Sequence, residues 1–318
     1  MSSLLSVFML TRNHEKFVAD AIMSVLEQKV NFEYTILVGD DGSTDGTVDI
    51  IKSYCKKYPQ RIKLFALSEN RGIFENVKNL YLHYEGIYLA NLDGDDYWID
   101  ENKLQMQVDF LEAHPEYNGC FHDMKIDSSS MPVATNDESS RINAKHGYMS
   151  YSQLHTYTSD VFPYQVVDRL IIPTSSIVYR NGAHLMDLVQ SDFRPNYSFD
   201  WWLNLAIVKN SKLKYFPRQM GVYRDHIHGT TKTVGFTLKK QTNILILKSL
   251  LQDNYYRHFK KWIFKGLSRE YNSLANDSTT DQGTRLSANF SYGWYALKMA
   301  ISTFLENHRN MNTKNSTG

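Results

Sequence analysis

Residues 87–98 have the sequence IYLANLDGDDYW, in which an apolar run ends in a cluster of acids. The run Ile87–Leu92 is short and apolar, which predicts a buried strand. Asp93, Asp95 and Asp96 follow it, and their charges repel one another unless a cation or hydrogen-bond donors neutralise them. A hard divalent cation, bound through one or two carboxylates and phosphate oxygens, is the usual solution. The alternative is a solvated turn, but the position directly after a strand favours a binding site.

Further strands and helices alternate along the residues that precede this stretch. Short apolar runs predict three more strands, at Leu4–Leu10, Tyr34–Val38 and Lys63–Leu67. Apolar residues at helical spacing predict a helix after each of these strands, over Phe17–Leu26, Val48–Cys55 and Ile73–Tyr84. Strands that alternate with helices indicate an α/β fold with a mostly parallel central sheet and helices on both faces.

A polar cluster follows each of the four predicted strands. The clusters are Thr11-Arg12-Asn13, Asp40-Asp41, Asn70-Arg71-Gly72 and Asp93-Gly94-Asp95-Asp96. Because ligands of such sheets bind outside the carboxyl ends of the strands, we expect the clusters to share one crevice. Turn formers and capping groups around Ser43 predict a tight strand-to-helix turn after the second strand. Two adjacent acids exceed what capping requires, and an aspartate there could accept a hydrogen bond from a base or a ribose hydroxyl.

The second half of the chain has a different pattern. Residues 128–165 are polar with little periodicity, which predicts a long loop that is either disordered or covers an acceptor. The apolar pattern returns at Leu170–Tyr179, and a helix is expected through Trp201–Ile207. Beyond Gly235 the pattern is helical. We therefore expect a catalytic domain over 1–235 and a C-terminal helical region over 236–318.

Composition limits the classes of partner and location. The formal net charge of +1 gives no reason to expect binding to nucleic acid. The only two cysteines, Cys55 and Cys120, form no CxxC pair, so a zinc site or a disulfide framework is not expected. No basic leader and no long apolar segment is present, so we expect a cytoplasmic protein, with contact at the inner face of the membrane as a further possibility.

Taken together, the polar clusters resemble the family 2 glycosyltransferases of the GT-A fold, which is Rossmann-like. The matching segments are Ser6–Asn13, Ser24–Gln28, Asp40–Thr47, Asn70–Gly72 and Asp93–Trp98. The resemblance implies transfer of a sugar, with inversion, from a nucleotide diphosphate to a hydroxyl of a glycan or a lipid-linked glycan. It also implies a divalent cation, manganese or magnesium, and uridine diphosphate as the commonest donor nucleotide.

The resemblance assigns roles to individual positions. Donor contacts are expected from Thr11, Arg12, Asn13, Asp40, Asp41, Asn70, Arg71, Gly72, Asp93, Gly94 and Asp96. Asp93 and Asp95 resemble the DXD motif of the family, with Asp95 as the direct metal ligand. His226 ends a segment similar to the Tyr-Arg-x-His motif, whose histidine reaches the metal or the diphosphate.

Asp200 is the candidate catalytic base, because Ser198–Trp202 resembles the segment that carries the catalytic carboxylate of the family. Phe199 replaces the usual glutamate before it, which departs from the family pattern. The alternative for Asp200 is a helix cap. His226 and His228 flank Ile227, which would place both on one side of a strand.

The sequence leaves two alternative functions. A nucleotidyltransferase also pairs acids with a metal, but it needs a basic glycine-rich loop that is not found near the N-terminus. A catalytically inactive sugar-nucleotide-binding module would be favoured by a missing base or a broken acidic cluster. The mixture of aromatic and basic residues over 255–265 is typical of an interfacial helix, although an ordinary packed helix explains it as well.

Overall fold

The computed structural model describes residues 3–130, 149–182 and 198–315. It divides into two compact units. The first comprises Met1–Phe162, Ile171–Arg194 and Ala206–Thr233, and the second comprises Pro163–Leu170, Pro195–Leu205 and Val234–Gly318. The candidate base Asp200 therefore belongs to the second unit, together with the C-terminal helices.

The first unit is built on one sheet. Its strands are β1 (Leu5–Thr11), β2 (Tyr34–Asp40), β3 (Ile62–Ala66), β4 (Tyr88–Asp93), β5 (Tyr97–Trp98), β6 (Tyr117–Asp127), β7 (Met149–Ser150), β8 (Asp160–Val161), β9 (Val178–Arg180) and β10 (Lys212–Arg224). The main path through the sheet is β3-β2-β1-β4-β9-β6-β10-β5, with β7 beside β6 and β8 beside β10. The carboxyl ends of β1, β2, β3 and β4 lie at one edge, because these strands pair in parallel.

Beyond β4 the sheet is mixed. The short strand β9 pairs antiparallel with both β4 and β6 and so separates the two parallel parts. Strand β10 is parallel to β6, and its register shifts between Phe216 and Gly221. The shift lies between the segments Leu213–Phe216 and Gly221–Tyr223, which together form one irregular strand.

The helices of both units follow in chain order. They are α1 (Val18–Leu26), α2 (Thr47–Lys57), α3 (Ile73–Tyr81), α4 (Lys103–Ala113), α5 (Tyr151–Leu154), α6 (Pro163–Val167), α7 (Phe199–Val208), α8 (Thr230–Thr233), α9 (Phe236–Leu250), α10 (Lys260–Asn276) and α11 (Gln282–Asn315). Short 3-10 turns occupy Thr174–Ser176 and Tyr256–Phe259. The predicted α/β fold with a C-terminal helical region is confirmed.

Side-chain alternation along the strands explains why helices cover both faces of the sheet. Val7 and Met9 point into the core cluster that contains the apolar faces of α1, α2 and α4. Phe8, between them, points to the other face and packs edge-on against Tyr81 of α3, with ring centroids 5.2 Å apart. Burial on both faces requires an almost continuous apolar strand, which is the pattern seen at Leu4–Leu10.

The polar region 128–165 contains secondary structure in its described part. Residues 131–148 of the predicted loop lie outside the described residues. The remainder carries β7, the short helix α5 and β8. Ser150 and Gln153 form a capping box at the start of α5, which explains how a polar sequence without periodicity holds a regular turn.

The second unit contains buried charges. Asp168 accepts ion pairs from Lys265 (3.1 Å) and Arg269 (3.5 Å). Glu270 pairs with Lys240 at 3.0 Å and with Arg269 at 3.0 Å. Both acids are almost fully buried, and burial of a carboxylate is tolerated when it is paired and hydrogen-bonded. These pairs connect α9 and α10 with the segment after α6.

Candidate active site

The turn after β1 is joined to the loop after β2. Thr11 is buried and donates its hydroxyl to Asp40 Oδ1 at 3.0 Å. The backbone N–H of Ser43 donates to Asp40 Oδ2 at 2.8 Å. The side chain of Asp40 is completely buried, and both of its oxygens close this turn. Asp40 therefore has a structural function, whether or not it also contacts a nucleoside.

Asn13 completes the connection between the two loops. Its backbone has a φ of 56°, a left-handed conformation that asparagine tolerates better than most residues. In that conformation its side-chain oxygen accepts a hydrogen bond from the N–H of Thr44 at 2.8 Å. The neighbouring Arg12 is exposed. The structure thus brings together the first two predicted clusters and leaves Arg12 accessible at their edge.

Asp41 holds the loop that follows β3. Its carboxylate accepts hydrogen bonds from the backbone N–H of Arg71 at 2.7 Å and of Gly72 at 3.1 Å. Asn70 Oδ1 accepts a further bond from Gly72 at 3.1 Å. Gly42, with a φ of 67°, lets the two loops approach, because a Cβ there would lie 2.4 Å from the Glu69 carbonyl carbon. The side chain of Arg71 remains exposed.

The acidic cluster lies against the end of β1. The N–H of Gly94 donates to the carbonyl of Leu10 at 2.8 Å. A Cβ at position 94 would lie 2.4 Å from Thr11 Cγ2, so that only glycine fits without movement. Asp93 is half-buried, and its N–H donates to Ser175 Oγ at 3.1 Å. Gly94 thus acts through close backbone packing, which places the acids beside the Thr11 turn.

Asp96 is an internal anchor. Its carboxylate accepts a hydrogen bond from Ser175 Oγ at 2.6 Å and from the backbone N–H of Arg224 at 3.0 Å. Burial raises the pKa of Asp96 well above its ordinary value, and the charges of Asp95 and Asp93 raise it further. The side chain is 2% exposed. Asp96 therefore fixes the shape of the cluster from behind.

Asp95 is the acid that two histidines contact. His226 Nε2 lies 3.1 Å from Asp95 Oδ2, and His14 Nε2 lies 3.5 Å from the same oxygen. Burial raises the pKa of Asp95, but the hydrogen bond from His226 and the proximity of His14 outweigh that effect and leave it below its ordinary value. Burial lowers the pKa of His14. Asp95 keeps 18% of its side chain exposed, which leaves room for a ligand.

Arg224 connects β10 to the acidic cluster. Its guanidinium donates to the backbone carbonyl of Asp95 at 3.1 Å and pairs with Asp20 at 2.6 Å. It also lies 4.2 Å from the ring centroid of Tyr97, a cation–π contact. Strand β10 ends at Arg224, so that His226 and His228 lie in the turn that follows instead of on one side of a strand, and only His226 is buried.

Asp95 and His226 are two residues of this site that could bind a metal ion. Over 3–130, 149–182 and 198–315, no three His, Cys, Asp or Glu side chains form a ready-made metal site. Asp95 and His226 offer a carboxylate oxygen and an imidazole nitrogen 3.1 Å apart, a separation suited to two ligands of one ion. Among the described residues, the buried Nδ1 atom of His226 has no hydrogen-bond partner. The residues fit a cation whose remaining ligands come from a bound diphosphate.

Asp200, the candidate base, lies in the second unit. It lies in the first turn of α7, and its Oδ1 accepts a hydrogen bond from the N–H of Trp201 at 2.9 Å. Burial raises the pKa of Asp200 to about 6. The residue before α7, Ser198, has a φ of 69° and donates its hydroxyl to Asn243 Oδ1 at 2.9 Å. A carboxylate with a raised pKa is suited to accept a proton near neutral pH.

Two residues of this site, His14 and Ser175, were not predicted from the sequence. His14 lies beyond the recognised turn, and only the folded structure places its ring against Asp95. Ser175 lies in a 3-10 turn of an unremarkable apolar segment, yet it contacts both Asp93 and Asp96. The sequence carries no local signal for Ser175, because its position depends on the insertion of β9 between β4 and β6.

Comparison with known proteins assigns the chain to a family. The family model described as "Glycosyl transferase family 2" matches residues 6–166. This match covers half of the chain, and the chain belongs to that family. An uncharacterized protein of Mycobacterium tuberculosis is 30% identical over 225 residues, which cover 71% of this chain and 60% of that protein. The chain thus spans less than two thirds of that relative.

Two further proteins are similar to parts or most of the chain. The putative glycosyltransferase EpsE of Bacillus subtilis is 38% identical over 112 residues, which cover 35% of this chain and 40% of EpsE. The crystal structure of S. aureus TarS 1-349 has a TM-score of 0.65 and 17% identity, and the match covers 91% of this chain and 80% of that chain. The TarS structure supports the fold alone. Among the described residues, none of the helices has the length and apolar character needed to span a bilayer.

Proposed function

We propose that this protein transfers a sugar from a nucleotide diphosphate, uridine diphosphate in the first instance, to a hydroxyl of a glycan or lipid-linked glycan. The observation that carries the proposal is Asp95, which stays partly exposed beside His226 at the strand ends where the loops of Thr11 and Asp41 meet. Family membership supports the same activity. So does the fold shared with TarS, a structure of which is described as a complex with UDP-GlcNAc.

The donor would lie along the carboxyl ends of β1 to β4. Exposed Arg12 and Arg71 flank this edge and would provide positive charge beside a diphosphate. The nucleoside would lie near Asn13, Asp40, Asp41, Asn70 and Gly72, where loop contacts already fix the backbone. Asp93 would border the sugar and diphosphate, while the buried Asp96 and Gly94 would shape this part of the site from behind. These assignments follow the resemblance, and the rigid contacts among the loops support a preformed pocket.

Asp95 would hold a divalent cation, with Asp93 and His226 as the neighbouring ligands. When bound, the cation would neutralise the charge that develops on the departing nucleotide diphosphate. The structure of a mannosyltransferase from Pyrobaculum calidifontis, described as a complex with GDP-Man and Mn2+, is similar to this chain with a TM-score of 0.53, which makes manganese a reasonable first choice. Asp96, held by Ser175 and Arg224, would keep Asp95 in place.

We assign the general base to Asp200. As the acceptor hydroxyl attacks the anomeric carbon, Asp200 takes its proton, the new glycosidic bond forms, and the bond to the diphosphate breaks. Attack from the face opposite the leaving group inverts the anomeric configuration in one step. The pKa of about 6 leaves Asp200 mostly ionised at neutral pH, as a base requires. In this assignment residues 1–235 carry the catalytic chemistry and 236–318 form an accessory helical region.

Titration calorimetry tests whether the protein binds a nucleotide diphosphate together with a divalent cation. Uridine diphosphate should bind in the presence of manganese and bind far more weakly in excess chelator. Release of the free nucleotide from a panel of nucleotide sugars would then identify the sugar. Equal affinity with and without the metal would contradict the assignment of Asp95. Failure of every nucleotide diphosphate to bind would instead favour a protein without transferase activity.

A lipid-linked acceptor would require contact with a membrane, and we propose 255–265 as the contact. Arg257 and Lys260 are exposed there, and each lysine or arginine near an anionic surface contributes about 1 kcal/mol. Trp262 packs on Tyr164, with ring centroids 5.2 Å apart, so the contact would be electrostatic without insertion of Trp262. Co-sedimentation with anionic vesicles should weaken with salt and with Lys260→Glu plus Lys261→Glu. An absence of binding at low salt would make a soluble acceptor the better choice.

A further inference from the structure

The last helix, α11, exposes a row of large apolar side chains. Each of them exposes half or more of its surface, and Phe290 exposes 82%. The members of this exposed stripe are Leu286, Phe290, Trp294, Leu297, Ile301 and Leu305. At about 100° per residue they lie within a sector of roughly 100° around the helix axis. Contiguous apolar patches of this kind mark sites where proteins bind other surfaces.

The opposite face of α11 is already used. Tyr295 stacks on Tyr271 of α10, with ring centroids 5.7 Å apart and planes 7° from parallel. Ala288 is buried on the same side. The helix is therefore apolar on two faces, one packed on α10 and one exposed. Arg285 and Lys298 are the only charged residues between Gln282 and Leu305, and neither is a member of the stripe.

The spacing of the stripe indicates what covers it. Successive members are separated by four, four, three, four and four residues, and this order is the same in both directions along the helix. An antiparallel copy of α11, related by a two-fold axis between Tyr295 and Ala296, would therefore match it member by member. We propose that α11 pairs in this way with α11 of a second copy of the chain.

The pairing follows from the register. Leu286 would meet the partner's Leu305, Phe290 the partner's Ile301, and Trp294 the partner's Leu297. A two-fold interface requires such self-complementarity, since the same patch is used twice. Each aromatic ring is set against an aliphatic side chain, so the bulky groups interdigitate and do not collide. A spacing that repeats over eleven residues keeps the stripe almost straight, so that two helices can pair over its full length.

The size of the stripe suits a homodimer. Six side chains exposed to this degree present roughly 600 Å² of surface, so a symmetric pair would bury about 1,200 Å², the lower limit of a stable interface. Lys298 flanks the stripe with its ammonium 4.7 Å from the ring centroid of Trp294. In the proposed register it lies opposite the partner's Gly293, so no like charges meet.

Sedimentation velocity across a dilution series tests the dimer. The wild-type chain should dimerise, and Phe290→Glu should raise the dissociation constant by roughly a hundredfold or more, because each copy places a charge in the apolar interface. Asn289→Glu is the matched control, since it adds the same charge to an exposed neighbour outside the stripe. An unchanged thermal unfolding midpoint would show that Phe290→Glu is folded. A wild-type chain that remains monomeric over the whole series overturns the proposal.

Disulfide cross-linking tests the antiparallel register. In a Cys55→Ser background, which leaves only the buried Cys120, the pair Phe290→Cys and Ile301→Cys should cross-link two copies on oxidation. Phe290→Cys alone should not, because the two copies of residue 290 would be about 16 Å apart along the axis. Cross-linking by Phe290→Cys alone indicates a parallel pair and overturns the register. Loss of vesicle binding in Phe290→Glu, with a monomeric wild type, would assign the stripe to a lipid surface instead.

Discussion

Two pairs of adjacent aspartates follow parallel strands in this molecule, and their side chains have different surroundings. Asp40-Asp41 follows β2, and both carboxylates accept hydrogen bonds from neighbouring loops, chiefly from backbone N–H groups. In Asp95-Asp96 only Asp96 is used in this way. Asp95 meets two imidazoles and remains partly exposed. The same dipeptide therefore consists of two loop anchors in one place, and of an anchor beside the proposed cation ligand in the other.

The difference lies in the donors that surround each acid. Backbone N–H groups have fixed positions, so a carboxylate that accepts them is occupied by the fold itself. Imidazole nitrogens can themselves bind a cation, so a carboxylate that they contact can share a cation with them. We therefore expect the donors around each acid to distinguish a structural aspartate from a ligand-binding one.

Of the substitutions that test this comparison, Asp95→Ala is expected to change activity the most. Removal of this carboxylate should lower transfer by about a thousandfold or more, because it removes the proposed cation ligand. Asp49→Ala, at a side chain that is 89% exposed on α2, is the matched control and should keep full activity. Initial rates with a nucleotide-sugar donor provide the measurement. Near-normal turnover by Asp95→Ala would place the cation elsewhere.

The second prediction concerns Asp200, which lies in the second unit. Asp200→Asn preserves the shape and still accepts the hydrogen bond from Trp201, but it removes the basicity. Turnover should fall roughly a hundredfold or more, with donor affinity little changed, as expected for a general base. Single-turnover kinetics with saturating donor separate the two quantities. Activity within a few-fold of the wild type would show that Asp200 only caps α7.

Asp41→Ala tests the structural side of the comparison. It should lower the free energy of unfolding by about 2 kcal/mol, because the N–H groups of Arg71 and Gly72 lose their acceptor. Asp95→Ala should change the same quantity by less than about 1 kcal/mol, since its carboxylate contacts two imidazoles and the N–H of its own residue. Urea titration of both variants provides the measurement. Similar losses in the two variants would remove the proposed distinction.

The smallest expected effect is the dependence of turnover on pH. Since the pKa of Asp200 is raised to about 6, its basic form is lost as the pH falls through that value. Turnover should therefore decrease about tenfold per pH unit below 6. Stability changes in the opposite direction: the folded state binds the proton more tightly than the unfolded chain, so this group favours folding more as the pH falls from about 6 toward 3.8. A turnover profile that is flat across pH 6, or equally steep in Asp200→Asn, contradicts this assignment.

The sequence predicted much of the first unit from local signals. The strands β1 to β4 and the helices between them follow from apolar periodicity, which is set by the buried faces of each element. The clusters at the strand ends were predicted to meet, and the contacts of Thr11 with Asp40 and of Asp41 with Gly72 bring them together. The roles assigned to individual residues for donor, metal and proton transfer stay predictions.

The sequence by itself therefore determined the α/β class, the strand-end position of the acids and the helical C-terminal region, because periodicity and turn chemistry are local properties. Only the tertiary structure decided which acids are anchors, because Asp96 meets Ser175 and Arg224 through strands that are distant in the chain. Tertiary packing likewise determined which face of α11 carries the exposed stripe. A periodic apolar pattern shows that a helix has an apolar face, but only packing determines which of two such faces remains uncovered.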